Sequence, residues 1–295
     1  MGIRACIFSD EVSPDFEEAV RLSAEAGAQG LELRNRMFGR SITQITDEDV
    51  RSIQAVCRRY GVEVAVIGSP VGKCDLTNPE EIQLHRAHFT RMCALAQAFG
   101  TPLIRAFALW RPERSRATDH ERPDLEAHLP RIVEFLGPLV EQAARTGVRY
   151  CLETEGATMV GTCAEANRVM NALGRPLALG LAWDVNNGFY CGESPFPEGY
   201  ALIRDRIYHV HVKPNEAGSL ATVGETAVTY AEVLHTLHRE GYAGWASIEH
   251  WGSPDAMLRG VRELTPVLEK IAQAGVSGEK TSRDHPSVAD LTGRG

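Results

Sequence analysis

The sequence contains no Cys-x-x-Cys pair. Its seven cysteines, Cys6, Cys57, Cys74, Cys93, Cys151, Cys163 and Cys191, are odd in number and scattered. That pattern excludes a zinc ribbon and a disulfide framework, and it points to free thiols in a reducing compartment. No apolar run approaches the ~20 residues needed to cross a bilayer, and residues 1–8 lack the long apolar stretch of a secretory leader. Positive charge is not in excess: the formal net charge is −8, which argues against nucleic acid as the main partner. No strand-like run is followed by a G-x-G-x-x-G or G-x-x-x-x-G-K-[ST] loop, so the common dinucleotide and P-loop phosphate sites are excluded too. What remains is the expectation of a cytoplasmic protein with a small-molecule partner, no nucleic acid and no membrane.

The chain is long enough for one large domain. It has 295 residues, 43% hydrophobic and 24% charged, an ordinary balance for a protein that buries a substantial core. One unit recurs along it. An amphipathic helical stretch ends near a glycine, and a short β-rich run follows within a few residues. Glycine can take the left-handed conformation that ends a helix before the chain turns into a strand. The pattern predicts strands at residues 4–8, 30–33, 62–67, 103–107, 148–153, 177–184, 207–213 and 245–249. Helices are expected between them. Ser13 is read as the N-cap of the first, with Pro14 at N1, and Thr46-Asp-Glu-Asp49 opens the second with acidic residues in its first turn. Further helices are expected over 80–99, 125–145, 162–173, 230–239 and 254–274, with a short one over 195–204. Eight strands alternating with helices imply parallel βαβ units. Uninterrupted alternation favours closure, so the fold class is α/β, a single (β/α)8 TIM barrel over residues 1–275. The loops after strands (68–79, 108–124, 186–197, 214–229) are long and the joins before strands short, as expected when the site sits at the strand C-termini. Residues 276–295 read as a polar tail.

Four successive strands finish on groups that can bind a metal: Leu152-Glu153, Trp183-Asp184, His209-Val-His211 and Ile248-Glu249-His250. A carboxylate that closes an apolar strand is costly to bury without a partner. Several converging at one barrel mouth repel one another unless a cation sits between them. Three carboxylates and an imidazole form a mainly hard donor set that suits Mn2+ or Mg2+, with Zn2+ and Co2+ as further candidates.

The run from Ile7-Phe-Ser-Asp-Glu11 to Ile248-Glu249-His250 resembles the xylose isomerase-like sugar isomerase and epimerase superfamily. The family pattern is a strand-five Glu, a strand-six Asp followed three residues later by a polar residue, a strand-seven His-x-His and a strand-eight Glu. It falls on Glu153, Asp184 with Asn187, His209-Val-His211, and Glu249. The resemblance implies one divalent metal held by Glu153, Asp184, His211 and Glu249. It also implies acid–base roles for Glu153 and Glu249 on opposite faces of a keto sugar or related polyol. One removes the proton α to the carbonyl, the metal stabilises the enediolate, and the other returns a proton. A homodimer or homotetramer is implied as well. Two departures matter. Asn187 stands where the epimerases often carry a substrate-contacting His, and His-Val-Lys-Pro, with Lys213, is nearer to the dehydratase-like branch. A lysine there either binds an anionic or oxyanionic group of the substrate or forms a loop salt bridge. The metal-dependent nucleases of the superfamily need extra histidines at the ends of strands three and four. Ile67-Gly-Ser-Pro70 and Ala106-Phe-Ala-Leu-Trp110 carry none.

Three functions follow from this reading. The first is a metal-dependent isomerase or epimerase. The second is a metal-dependent dehydratase of a keto-inositol or dehydroshikimate-like ring. The third is a non-catalytic sugar-binding or subunit-forming protein on an enzyme scaffold, against which the intact ligand set argues. Supporting residues are expected around the site. Glu32 is read either as a hydrogen-bonding support or as an ion pair with Arg34 or Arg105. Arg105 and Trp110 are candidate substrate contacts, with Arg111 expected at the surface. Glu155 is expected to alternate away from Glu153, and His209 to face outward. The pairs His85/His88 and His235/His238 are expected to be solvated helix-surface histidines.

Overall fold

The computed structural model describes residues 2–112, 121–250 and 252–281, with side chains as far as residue 274. Eight strands form a closed barrel in chain order: β1 (Arg4–Phe8), β2 (Gly30–Leu33), β3 (Glu63–Gly68), β4 (Leu103–Ala106), β5 (Arg149–Glu153), β6 (Leu179–Asp184), β7 (Ile207–Val212) and β8 (Trp245–Ile248). Every pairing is parallel, and β8 returns to β1. The helices are α1 (Phe16–Ala26), α2 (Asp47–Tyr60), α3 (Pro79–Phe99), α4 (Leu125–Thr146), α5 (Cys163–Ala172), two short ones, α6 (Val185–Tyr190) and α7 (Tyr200–Ile203), then α8 (Tyr230–Arg239) and α9 (Pro254–Thr281).

Local chemistry sets the helix ends. Thr46 caps α2 in a capping box, its side chain accepting from the Asp49 N–H while the Asp49 carboxylate accepts from the Thr46 N–H. Such a cap contributes about 1 kcal/mol. Gly61 then closes α2 at φ 68°, a conformation that costs a residue with a Cβ. The first helix differs from expectation. Its N-cap is Asp15, whose carboxylate accepts from the Glu18 N–H at 2.8 Å. The Ser13 hydroxyl instead accepts from the Asp15 N–H one turn earlier. Strand β6 starts at Leu179 rather than at Leu177, which is 75% exposed. Helix α9 runs to Thr281. Residues 282–295 of the expected tail lie outside the described residues, as do residues 113–120 of the loop after β4, His120 among them.

Side-chain parity divides the strands between two environments, because alternate residues point to opposite faces. One parity packs under the helices: Ile7, Leu31, Leu33, Ile104, Tyr150, Leu152, Leu181, Trp183, Val210, Val212 and Ile248 belong to the main core. The other parity fills the barrel. At its N-terminal end a second, smaller cluster holds Cys6, Leu103, Cys151, Ala182 and Trp245. Small residues there make room for the indole: a Cβ on Gly30 would come within 2.7 Å of the Trp245 ring. Moving two residues toward the C-terminal end of each strand takes Cys151 to Glu153, Ala182 to Asp184 and Leu103 to Arg105, while β7 places His209 and then His211 on this parity. The barrel therefore changes from apolar to ionisable within one residue pair, and the ionisable layer sits at the mouth.

Candidate metal centre

Glu153 closes β5, Asp184 closes β6, His211 lies near the end of β7, and Glu249 follows β8 directly. All four are buried. One ligand atom from each can be chosen so that all lie within 4.8 Å of one another. His211 Nδ1 is 3.5 Å from both Glu153 Oε1 and Glu249 Oε2, and 4.0 Å from Asp184 Oδ2. His211 Nδ1 and Glu249 Oε2 are buried and no hydrogen bond reaches them, while Glu153 Oε2 and Asp184 Oδ2 are met by the cations Arg105 and Lys213. Leaving a buried polar atom unsatisfied costs about 1–3 kcal/mol, more when charged, so three buried carboxylates gathered on one imidazole call for a shared cation. A divalent ion fits this set of three carboxylates and an imidazole.

The ionisation pattern agrees. Burial pushes the Asp184 carboxyl above its ordinary range. The Lys213 ammonium opposes that shift, and the Glu249 and Glu153 carboxylates add to it. Glu153 goes the other way: burial opposes its charge, but Arg105 and His211 more than offset it and bring the carboxyl down to about 2. Burial likewise disfavours a charged His211, yet Glu32 and Glu153 outweigh it and raise the imidazole well above its ordinary range. Crowded carboxylates here compete for too little positive charge.

A ring of basic residues holds these groups. Arg105 Nε is 3.2 Å from Glu153 Oε2 and 3.4 Å from Glu32 Oε1. Arg34 reaches Asp10 at 3.0 Å, Glu11 at 2.8 Å and Glu249 Oε1 at 3.2 Å. Each of the two glutamates thus has its own arginine. Lys213 Nζ is 2.7 Å from Asp184 Oδ2 and 3.7 Å from Glu249 Oε2. It also donates to Asn187 Oδ1 at 2.8 Å, and Asn187 Nδ2 donates to the Thr154 carbonyl at 2.9 Å.

Above the cluster opens a cavity of about 300 Å3, lined in part by Arg34, Lys73, Arg105, Phe107, Glu153, Glu155 and Glu249, and on one side by Ser41, Ile42 and Thr43 of the β2–α2 loop. Among the expected substrate contacts, Arg105 lines this cavity. Asn187, Lys213, Glu32 and Trp110 do not. Asn187 and Lys213 brace each other and Asp184, while Glu32 is fully buried beneath His211. Trp110 stands behind Lys73, whose Nζ is 5.4 Å from its ring centre.

Several expectations are corrected. His209 does not face outward. It is fully buried, its Nε2 lying 2.8 Å from Glu32 Oε2. Residues two apart on a strand share a face, so His209 enters the barrel with His211. Glu155 does not turn away from Glu153; both line the cavity. Arg111, expected at the surface, is buried, and its N–H donates to the Ala157 carbonyl at 3.1 Å. His85 is buried as well, its Nδ1 accepting from the Gly72 N–H at 3.1 Å. The lining residues Lys73 and Phe107 were not foreseen. The only sequence signal for Lys73 was its place in the long loop 68–79 after a strand, and Phe107 ends the fourth expected strand.

A family model described as a xylose isomerase-like TIM barrel matches residues 20–271. No curated protein sequence matches the chain significantly. Solved structures do. A xylose isomerase-like TIM barrel protein from Mycobacterium smegmatis in complex with magnesium is 18% identical, with a TM-score of 0.70 over 92% of this chain and 97% of that one. The probable 3-DHS dehydratase AsbF from Bacillus anthracis is 19% identical, with a TM-score of 0.67 over 90% and 99%. The 3-keto-D-glucoside 4-epimerase YcjR from E. coli is 18% identical, with a TM-score of 0.67 over 92% and 99%. At such identities these likenesses establish the fold. Among the described residues, no helix is long and apolar enough to cross a membrane.

Proposed function

The chain belongs to the xylose isomerase-like TIM barrel family, and on that premise we propose that it is a divalent-metal-dependent isomerase or epimerase of a keto sugar or related polyol. One observation carries the reading. One ligand atom from each of the buried residues Glu153, Asp184, His211 and Glu249 lies within 4.8 Å of the others, and of these residues the two glutamates also line the cavity. Asp184 and His211 are in place to hold the ion only. Glu153 and Glu249 can hold it and reach a substrate.

The donor set suits Mn2+ or Mg2+. A divalent ion held by these four residues would supply positive charge that makes the C–H next to a substrate carbonyl more acidic. The protein's own residues do the proton work. One glutamate takes the proton from the carbon next to the carbonyl. Returned by the same carboxylate to the former carbonyl carbon, with the hydroxyl proton passing to the former carbonyl oxygen, that proton gives the isomer. Delivered from the opposite side by the other glutamate, which then starts the cycle protonated, a proton gives the epimer. Arg34 holds Glu249 by Oε1 and leaves Oε2 facing the cluster. Fixing the carboxylates in this way is what makes weak bases effective.

A dehydratase is the second reading, and Lys213 favours it. Its ammonium lies 3.7 Å from Glu249 Oε2 but outside the cavity lining, so it would act on a departing β-hydroxyl through Glu249 and not by contact. Dehydration produces a conjugated enone with new ultraviolet absorbance; epimerisation does not. The test is incubation of the Mn2+-loaded protein with ketoses in D2O, followed by proton NMR. Deuterium should enter at the carbon next to the carbonyl, and Glu153→Gln and Glu249→Gln should slow this by about 100-fold or more. Exchange at wild-type rate in both variants would refute the assignment.

A further inference from the structure

Lys73 and Glu155 form a pair on the cavity wall that the proton chemistry does not use. Lys73 Nζ is 3.3 Å from Glu155 Oε2, and both side chains remain about a quarter exposed, at 27% and 25%. Both line the cavity. Neither is free to wander. Glu155 Oε1 accepts from the Ala157 N–H, and the Glu155 N–H donates to the Val160 carbonyl at 2.9 Å. Lys73 Nζ sits 4.2 Å from the Phe107 ring centre, and its N–H donates to the Pro70 carbonyl at 3.0 Å.

We propose that Lys73 and Glu155 are the specificity-determining pair of this cavity, reading hydroxyl groups of an uncharged substrate and rejecting substrates that carry a phosphate or carboxylate. The inference rests on the proposed function for its substrate type. Its chemistry is one of donors and acceptors. A hydroxyl can accept from the Lys73 ammonium and donate to the Glu155 carboxylate at once. A phosphate or carboxylate can accept from Lys73 but has no proton for Glu155, and its charge is repelled there. Among the described residues, the other cations around the cavity are already committed. Arg34 is held by Asp10, Glu11 and Glu249, Arg105 by Glu32 and Glu153, and Lys213 by Asp184 and Glu249. Carboxylates outnumber cations in this group, and a divalent ion consumes most of the excess. Among the described residues no further cation is left over to neutralise an anionic substrate, which the surrounding like charges then disfavour.

The experiment is calorimetric binding to the Mn2+-loaded full chain, wild type and Glu155→Gln, with two sets of probes. The uncharged set is D-fructose, D-tagatose, D-allulose and scyllo-inosose. The anionic set is D-fructose 6-phosphate, D-tagatose 6-phosphate and 3-dehydroshikimate. The wild type should bind its best uncharged probe at least about tenfold tighter than any anionic one. Glu155→Gln keeps the shape but removes the charge, and it should shift that ratio toward the anionic set by about tenfold. Thermal unfolding of both proteins separates this from a folding defect, which would weaken both sets alike. An anionic probe that binds the wild type more tightly, a ratio unmoved by the substitution, or failure of every uncharged probe to bind would overturn the proposal. If uncharged probes bind with the expected preference but none exchanges its α-proton in D2O, the proposed function falls and the specificity pair stands.

Discussion

His211 is held from beneath by Glu32, whose Oε2 lies 3.2 Å from His211 Nε2 while His211 Nδ1 faces Glu153 and Glu249. The same Glu32 oxygen is 2.8 Å from His209 Nε2. A carboxylate behind a ligating imidazole fixes its tautomer and aim. Removing such a partner costs about 10- to 100-fold in metal affinity. Glu32→Gln should therefore weaken Mn2+ binding by that order in a calorimetric titration, with the helical circular dichroism signal retained. Unchanged affinity would show that Glu32 serves packing alone.

Metal should stabilise the fold through Asp184. Burial and the neighbouring carboxylates raise this carboxyl above its ordinary range, so the charged cluster is strained until a cation joins it. An ion at 100 times its dissociation constant adds about 2.7 kcal/mol. Wild-type Tm should rise on adding MnCl2 and fall back with chelator. Asp184→Asn retains an oxygen able to cap α6, where Asp184 Oδ1 accepts from the Asn187 N–H, but loses the charge. Its metal-free Tm should stay near that of the wild type while the metal-induced rise largely disappears.

Gly72 supports the cavity wall next to Lys73. Its φ is 88°, and a Cβ there would run into the Phe107 carbonyl. Gly72→Ala combines left-handed strain with a backbone clash, so a loss of about 2 kcal/mol or more in urea unfolding is expected. Because Phe107 and Lys73 both line the cavity, KM should rise alongside. An alanine variant as stable as the wild type would mean that this turn can relax.

Alkaline pH should weaken the protein through its thiols. Burial pushes the thiols of Cys57, Cys74 and Cys151 up to about 12 from an ordinary value of 9.0. The folded state thus keeps protons that the unfolded state releases between pH 9 and 12. Stability present below pH 9 is then lost as pH rises through that window. Urea midpoints should fall over this range, and iodoacetamide at pH 8 should label the native protein far more slowly than the denatured one. Rapid native labelling would contradict the burial of all seven cysteines.

The parts of this protein that follow from chain periodicity were legible in its sequence. Glycine-terminated helices and short β-rich runs gave the eight strands in order, and carboxylates ending β5 and β6 marked the barrel mouth. The ligand set came with the family resemblance, and the structure brings those four residues together. What escaped was decided by long-range packing. Glu155 is no such case: it stands two residues past Glu153, and both line the cavity, as the two-residue period of a strand predicts. Arg34 finds Glu249 across 215 residues of chain, a partner that local spacing does not indicate. His209 was misplaced for a simpler reason: two residues along a strand return to the same face. His85 reads as solvated by residue type, but its ring accepts from the Gly72 N–H, a loop backbone group that would otherwise be buried alone.

The most direct test is an anomalous diffraction map from crystals soaked in MnCl2. The account predicts one manganese peak at the barrel mouth, within about 2.3 Å of a ligand atom from each of Glu153, Asp184, His211 and Glu249. A peak bound by other residues, or none at this point at saturating metal, would contradict it.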